Sequence, residues 1–304
     1  MNLLAVLSQL ISLFLMMLIG FIAALAGVIT PEFRKRLSTF TLTTAGPCII
    51  ISSVLSSESN PLKMISAVGM AVFYFVTMCI LARIIVRLLR IRREESSLDQ
   101  LMLIFTNVGF MGIPVVQSIY GVNGVALLSM FILIFNLFFF SYGVLLISSS
   151  ATFNWRSLCN ACIFAALIGL LFGVTGWHLP APVESTLASV GAMNTPLAMI
   201  IIGASMAHSD IRKALTNKRM YRVSLLSMFL MPLLMLLAVM FLPVDPMLAG
   251  ISVLLAAMPI AGNCAMISDR YTPDDMTASH CVMVSTLMSA VSLPLVCALI
   301  AAVL

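Results

Sequence analysis

The chain has 304 residues, of which 62% are hydrophobic and 9% charged, with a mean hydropathy of +1.14 and a formal net charge of +5. A soluble domain carries about 25% charged residues, so this composition excludes a large soluble domain and describes an all-α integral membrane protein. The positive charge does not point to nucleic acid, because it sits between apolar runs, where basic residues orient a membrane protein.

The apolar runs are of spanning length and fit helices rather than barrel strands. Ten spans are predicted, at 4–28, 37–55, 64–88, 98–120, 122–147, 157–177, 183–207, 220–242, 246–268 and 276–304. The first lacks a basic leading region and is long enough to cross, so it reads as a span and not a cleavable signal. Arg34, Lys35 and Arg36 follow span one, and Arg83, Arg87, Arg90, Arg92 and Arg93 close span three. Arg156 precedes span six, Arg212, Lys213, Lys218, Arg219 and Arg222 lie around the start of span eight, and Arg270 follows span nine. With ten spans these basic residues share one face and only Lys63 lies on the other. The positive-inside rule makes that face cytoplasmic and puts both termini outside a multi-pass protein of the cytoplasmic membrane.

Span two carries Ala45-Gly46-Pro47, and span seven answers it with Asn194-Thr195-Pro196. Span four is interrupted by Phe105-Thr-Asn107-Val-Gly109-Phe-Met-Gly112-Ile-Pro114, and span nine by Ala257-Met-Pro259-Ile-Ala-Gly262-Asn263-Cys264. An unpaired backbone group in hydrocarbon costs several kcal/mol, so such clusters need partners. Proline removes an N–H and crowds the preceding turn. Glycine permits the opened backbone, and asparagine both donates and accepts. Pro232 and Pro294 read as packing or kink residues.

The halves, 1–148 and 157–304, flank a linker at 149–156. Five spans per half reverse the direction of entry, which gives two inverted five-helix repeats. Paired broken helices in such repeats point to the substrate site of a secondary transporter. If helices four and nine cross at their gaps, their loose backbone groups satisfy each other. Two half-helix N-termini, each worth roughly +0.5 of a charge, then favour an anion. Asn107, Gly109, Gly112, Pro114, Pro259, Gly262 and Asn263 are the candidate binding residues. Gln117, Asn136, Tyr142, Asn194 and Thr195 are further polar residues that either line a cavity or bond a neighbouring helix.

None of the 11 acidic residues falls in the middle of a predicted span. Cation-coupled carriers usually display intramembrane carboxylates, so an anion is favoured over a carboxylate proton relay. Asp269, beside Arg270, and His280 are the candidates for ion coupling. Cys159-Asn-Ala-Cys162 has no second cysteine pair or histidine pair nearby, so no metal or other cofactor is expected.

The run Asn107 to Pro114, the segment Thr195-Pro196-Leu-Ala-Met-Ile-Ile-Ile-Gly203-Ala-Ser-Met206 and the segment Met258-Pro259-Ile-Ala-Gly-Asn263 resemble the auxin efflux carrier family. The resemblance covers nearly the whole chain. It implies a scaffold domain of spans one, two, six and seven, and a transport domain of spans three to five and eight to ten. It further implies crossed helices four and nine, a homodimer, elevator-like movement, and a substrate carboxylate held by Asn107, Pro114, Pro259 and Asn263. The long cytoplasmic loop of plant members is missing, so regulation through it is not available; nor does substrate identity carry over, since a short bacterial-type chain need not meet auxin. The expected activity is carriage of a small organic anion; the alternative is a sodium- or proton-coupled symporter or antiporter of the related crossover fold.

Overall fold

A computed structural model describes residues 3–57, 61–147, 161–177, 179–207, 217–271 and 277–303. Every named element among them is helical, as the apolar runs require. In chain order these are α1 (Leu3–Leu25), α2 (Pro31–Phe40), α3 (Gly46–Leu55), α4 (Pro61–Leu88), α5 (Arg93–Ile104), α6 (Ile113–Phe138), α7 (Val144–Ile147) and α8 (Ala161–Thr175). There follow α9 (Ala181–Ala192), α10 (Asn194–Ala207), α11 (Lys218–Leu225), α12 (Met231–Met240), α13 (Pro246–Ala256), α14 (Gly262–Tyr271) and α15 (Thr277–Val303).

Among the described residues, six helical segments combine the length and hydropathy to cross a bilayer: Pro31–Leu55, Leu62–Leu88, Val108–Ile147, Ala181–Ala207, Lys218–Met240 and Thr277–Val303. Leu10–Leu25, Ala161–Thr175 and Pro246–Ala256 are apolar but shorter. The tally is below ten for local reasons. Expected span nine is divided around 257–261, and expected spans four and five run together over Val108–Ile147. That run leaves helical geometry at Gly121, at φ 64° and ψ −156°, between the expected ends at 120 and 122. Glycine reaches positive φ without a Cβ clash.

Wide π turns occupy Thr41–Ala45, Val108–Gly112, Phe139–Gly143 and Leu226–Leu230. Three of them directly precede a helix whose second residue is proline: Gly46-Pro47, Ile113-Pro114 and Met231-Pro232. A proline ring collides with the carbonyl four residues back in a regular helix. One residue more per turn moves that carbonyl away, and the helix continues. Pro232 therefore belongs to a π-turn junction, whereas Pro294 lies inside α15.

The chain forms two compact units. The first comprises Met1–Gly69, Gly109–Ile134 and Arg156–Ser209; the second comprises Met70–Val108, Phe135–Trp155 and Asp210–Leu304. In the first unit, α1 packs on α10 at backbone distance. A Cβ on Gly20 would strike the carbonyl of Ile200, and one on Gly203 would strike the carbonyl of Met17. Small residues let membrane helices approach this closely, and the gain is dispersion contact. Gly191 of α9 repeats the device, where a Cβ would lie 2.8 Å from the Cα of Ile49 in α3.

The second unit has an aromatic core. Phe75 stacks on Phe105 at 6.3 Å, and Phe105 meets Phe139 edge-on at 5.0 Å. Phe135 stacks on Phe139 at 5.4 Å. A Cβ on Gly143 would lie 3.0 Å from the Phe105 ring, so that glycine makes room for it. These rings anchor the C-terminal end of α5, where the first interruption begins.

Candidate functional site

Helix α5 ends at Ile104 and helical geometry resumes only at Val108; α13 ends at Ala256 and α14 starts at Gly262. The two gaps meet inside the second unit. Thr106 and Ile260 form an isolated antiparallel bridge. The N–H of Asn107 donates to the carbonyl of Pro259 at 2.7 Å, and the N–H of Ala261 donates to the carbonyl of Phe105 at 3.0 Å. The Thr106 hydroxyl donates to the carbonyl of Leu255 at 2.7 Å and lies 3.5 Å from the hydroxyl of Tyr74. Ser285 of α15 accepts from the N–H of Ile260 at 3.1 Å, and the Cys264 thiol points at the carbonyl of Phe105 at 3.5 Å. Backbone groups freed by each interruption are thus taken up by the other, or by a hydroxyl. Phe105, Thr106, Met258 and Ile260 are fully buried, so water does not substitute for these bonds.

Of the candidates, Asn107 and Pro259 are brought together directly by this pairing. Gly262 and Asn263 open α14 just beyond it, with Gly262 exposed and Asn263 half-buried. Gly109, Gly112 and Pro114 belong to the first unit; Gly112 and Pro114 are buried there, and a Cβ on Gly109 would meet nothing within 4 Å. Thr195 of α10 donates to the side-chain oxygen of Gln117 at 3.0 Å, also within the first unit. Asn194 is 3% exposed and its amide nitrogen is buried without a hydrogen-bond partner. Asn136 is buried in the second unit, and Tyr142 is half-buried on the wall of an open cleft. His280 is half-buried in the first turn of α15. Asp269 lies on α14, its side chain outside the described residues, as is Cys159 of the Cys159–Cys162 pair.

Thr106 and Ser285 were not among the candidates, although each satisfies the broken backbone. For Thr106 the signal was its place between Phe105 and Asn107; nothing in the sequence singles out Ser285 among the serines of α15. Also outside the sequence reading is a charge cluster in the second unit, on the first two turns of α5. Asp99 is fully buried there. One of its oxygens accepts from Arg219 Nε at 3.0 Å and Nη2 at 2.8 Å, and the other accepts from Arg222 Nη2 at 2.8 Å. Glu95, one turn earlier on α5, lies 3.3 Å from Arg222 and 3.6 Å from Arg219. The cluster ties α5, whose end carries Phe105 to Asn107, to the first turns of α11.

The sequence profile of the membrane transport protein family matches residues 5–152 and again residues 148–297, once over each half. A transporter of Methanothermobacter thermautotrophicus, described as uncharacterized, is 26% identical over 293 residues, covering 94% of this chain and 95% of that protein.

Proposed function

This chain belongs to the membrane transport protein family, the auxin efflux carrier family its motifs resemble, and is a membrane transporter; from that premise we propose that it carries a small organic anion, a carboxylate, across the cytoplasmic membrane. The observation that carries this reading is the pairing of the two interruptions, with the N-terminus of α14 opening immediately after it. A helix N-terminus supplies free N–H donors and partial positive charge. The amides of Asn107 and Asn263 add neutral donors and acceptors beside it. No acidic residue falls in the middle of a predicted span, and the buried Asp99 on α5 is matched by Arg219 and Arg222, so no unpaired buried carboxylate on that helix opposes the anion.

In this reading the gaps of helices four and nine cross in a ten-span protein built as two inverted repeats. Spans one, two, six and seven act as a scaffold and dimer surface. The remaining spans move as a transport domain in an elevator-like cycle. Chemical cross-linking in membranes tests the dimer: a doubled band is expected, and a strictly single one removes that part.

Binding is tested by thermal melting of the purified protein against a panel of mono- and dicarboxylates. A ligand of the folded state at one hundred times its Kd stabilises by about 2.7 kcal/mol. At least one carboxylate is expected to raise the melting temperature saturably, and Asn107→Ala with Asn263→Ala to abolish the rise. A rise unchanged in that variant would remove the site assignment.

A further inference from the structure

A second anionic ligand has a place on the outer wall of the second unit. Helix α4 presents Val76, Cys79, Ile80 and Arg83 on one stripe, at the spacing of three, four and seven residues that keeps side chains on one face. Phe138, Ser141 and Tyr142, from the end of α6 and the π turn Phe139–Gly143, form the facing wall. Together they line an open cleft of about 310 Å³. That is near the lower end of small-molecule sites, about 300 Å³. It accepts a phosphate ester and the start of an acyl chain, not a whole lipid.

The cleft is apolar along most of its length and basic at one end. Val76 and Ile80 are 42% and 54% exposed, so the wall faces outward, where a transporter meets lipid. Arg83 lies five residues before the end of α4, roughly 7–8 Å inside it at 1.5 Å per residue. Among the described residues no carboxylate is paired with Arg83, whereas Arg219 and Arg222 are paired with Asp99 and Glu95. Arg83 is exposed on this outward wall; where the wall meets lipid, a charge without a counter-charge is costly, and the guanidinium fork matches two oxygens of a phosphate. Ser141 already donates to the carbonyl of Leu137. The phosphate's donors are therefore Arg83 and the Tyr142 hydroxyl. Arg87, one turn further along α4, and Arg90 beyond its end extend the positive charge toward the face read as cytoplasmic, the leaflet that carries anionic lipid.

We propose that this cleft binds an anionic phospholipid, with its headgroup phosphate on Arg83 and Tyr142 and its acyl chain along Phe138, Ile80 and Val76. The chain then runs from the basic end of α4 toward the middle of that helix, as a lipid in that leaflet does. Spans three and five form this wall, so the site is separate from the proposed dimer surface and from the paired interruptions.

The test is thermal melting and native mass spectrometry of the full chain in detergent, with phosphatidylglycerol, phosphatidylcholine or inorganic phosphate added. Phosphatidylglycerol is expected to bind and stabilise, whereas phosphatidylcholine and inorganic phosphate are expected to do neither. Arg83→Gln should weaken phosphatidylglycerol roughly tenfold, about 1.4 kcal/mol, and Arg36→Gln, on an exposed basic residue of the other unit, should leave it unchanged. Ser141→Trp fills the cleft without touching the charge and should also remove binding. Equal binding by Arg83→Gln and the parent overturns the proposal. So does equal loss in Arg36→Gln, equal binding of phosphatidylcholine, or stabilisation by inorganic phosphate alone.

Discussion

Asp99→Asn is the sharpest test of how α5 is held. The carboxylate accepts three charge-assisted hydrogen bonds, two from Arg219 and one from Arg222, and is itself fully buried. An amide offers one oxygen where the carboxylate offers two. Whichever way it turns, its NH₂ faces a guanidinium. Removing one partner of a buried ion pair costs about 3–5 kcal/mol, chiefly because the other charge stays buried and unpaired. Here the lower end applies. The Arg219 and Arg222 side chains are 15% and 38% exposed, and Glu95 stays within 3.3 Å of Arg222. A loss of about 3 kcal/mol corresponds to roughly 6–12 °C in melting temperature for a unit of this size, at about 2–4 °C per kcal/mol. Buried pairs are screened little by salt, so the drop should persist in high salt.

The control is the double variant Asp99→Leu with Arg219→Met. Replacing both members of a buried pair by apolar residues is often neutral; Arg222 remains, with Glu95 at 3.3 Å, so the double should melt above the Asp99→Leu single though not necessarily at the parent value. A change of under about 2 °C in Asp99→Asn, or strictly additive losses in the double, would refute the closed cluster.

Three further outcomes follow from the packing. Gly203→Ala should cost about 1–3 kcal/mol by overpacking, because the new methyl meets the carbonyl of Met17; melting temperature and monodispersity report it. Gly109→Ala, with nothing within 4 Å of its Cβ, should melt within about 0.5 kcal/mol of the parent, as substitutions away from close packing do. Ser285→Ala removes the acceptor of the Ile260 N–H and should cost about 1–3 kcal/mol in the same assay, the penalty of an unsatisfied buried donor.

Much of this architecture was legible in the chain, for identifiable reasons. Long apolar runs with few charges can only be helices in a bilayer, and the described elements are helical. Gly121 ends one run and starts the next where the sequence divides spans four and five. The Asn-Gly-Pro clusters announced interrupted backbone, and Asn107 and Pro259 do meet. The π turns were not legible, because proline says that a regular turn fails without saying how it is repaired. Arg219 and Arg222 were counted as orienting charges, and that count is the same whether an arginine is solvated or bonded to Asp99. Hydropathy assigns a residue to an end of a span and is silent on its partners. Pro232, read as a packing or kink residue, is buried at such a junction, and the wide turn before it is the form its irregularity takes.

The central claim, anion transport through the paired interruptions, is tested most directly by flux. Purified protein in proteoliposomes is loaded with labelled malate, malonate or indole-acetate, and a membrane potential of either sign is imposed. A moved charge is worth about 2.3 kcal/mol per 100 mV. Carboxylate efflux is expected to be faster with the interior negative, slower when the sign is reversed, and lost in Asn107→Ala with Asn263→Ala. Flux of a carboxylate that persists unchanged in that variant, or that requires sodium or a proton gradient and ignores the potential, would contradict it.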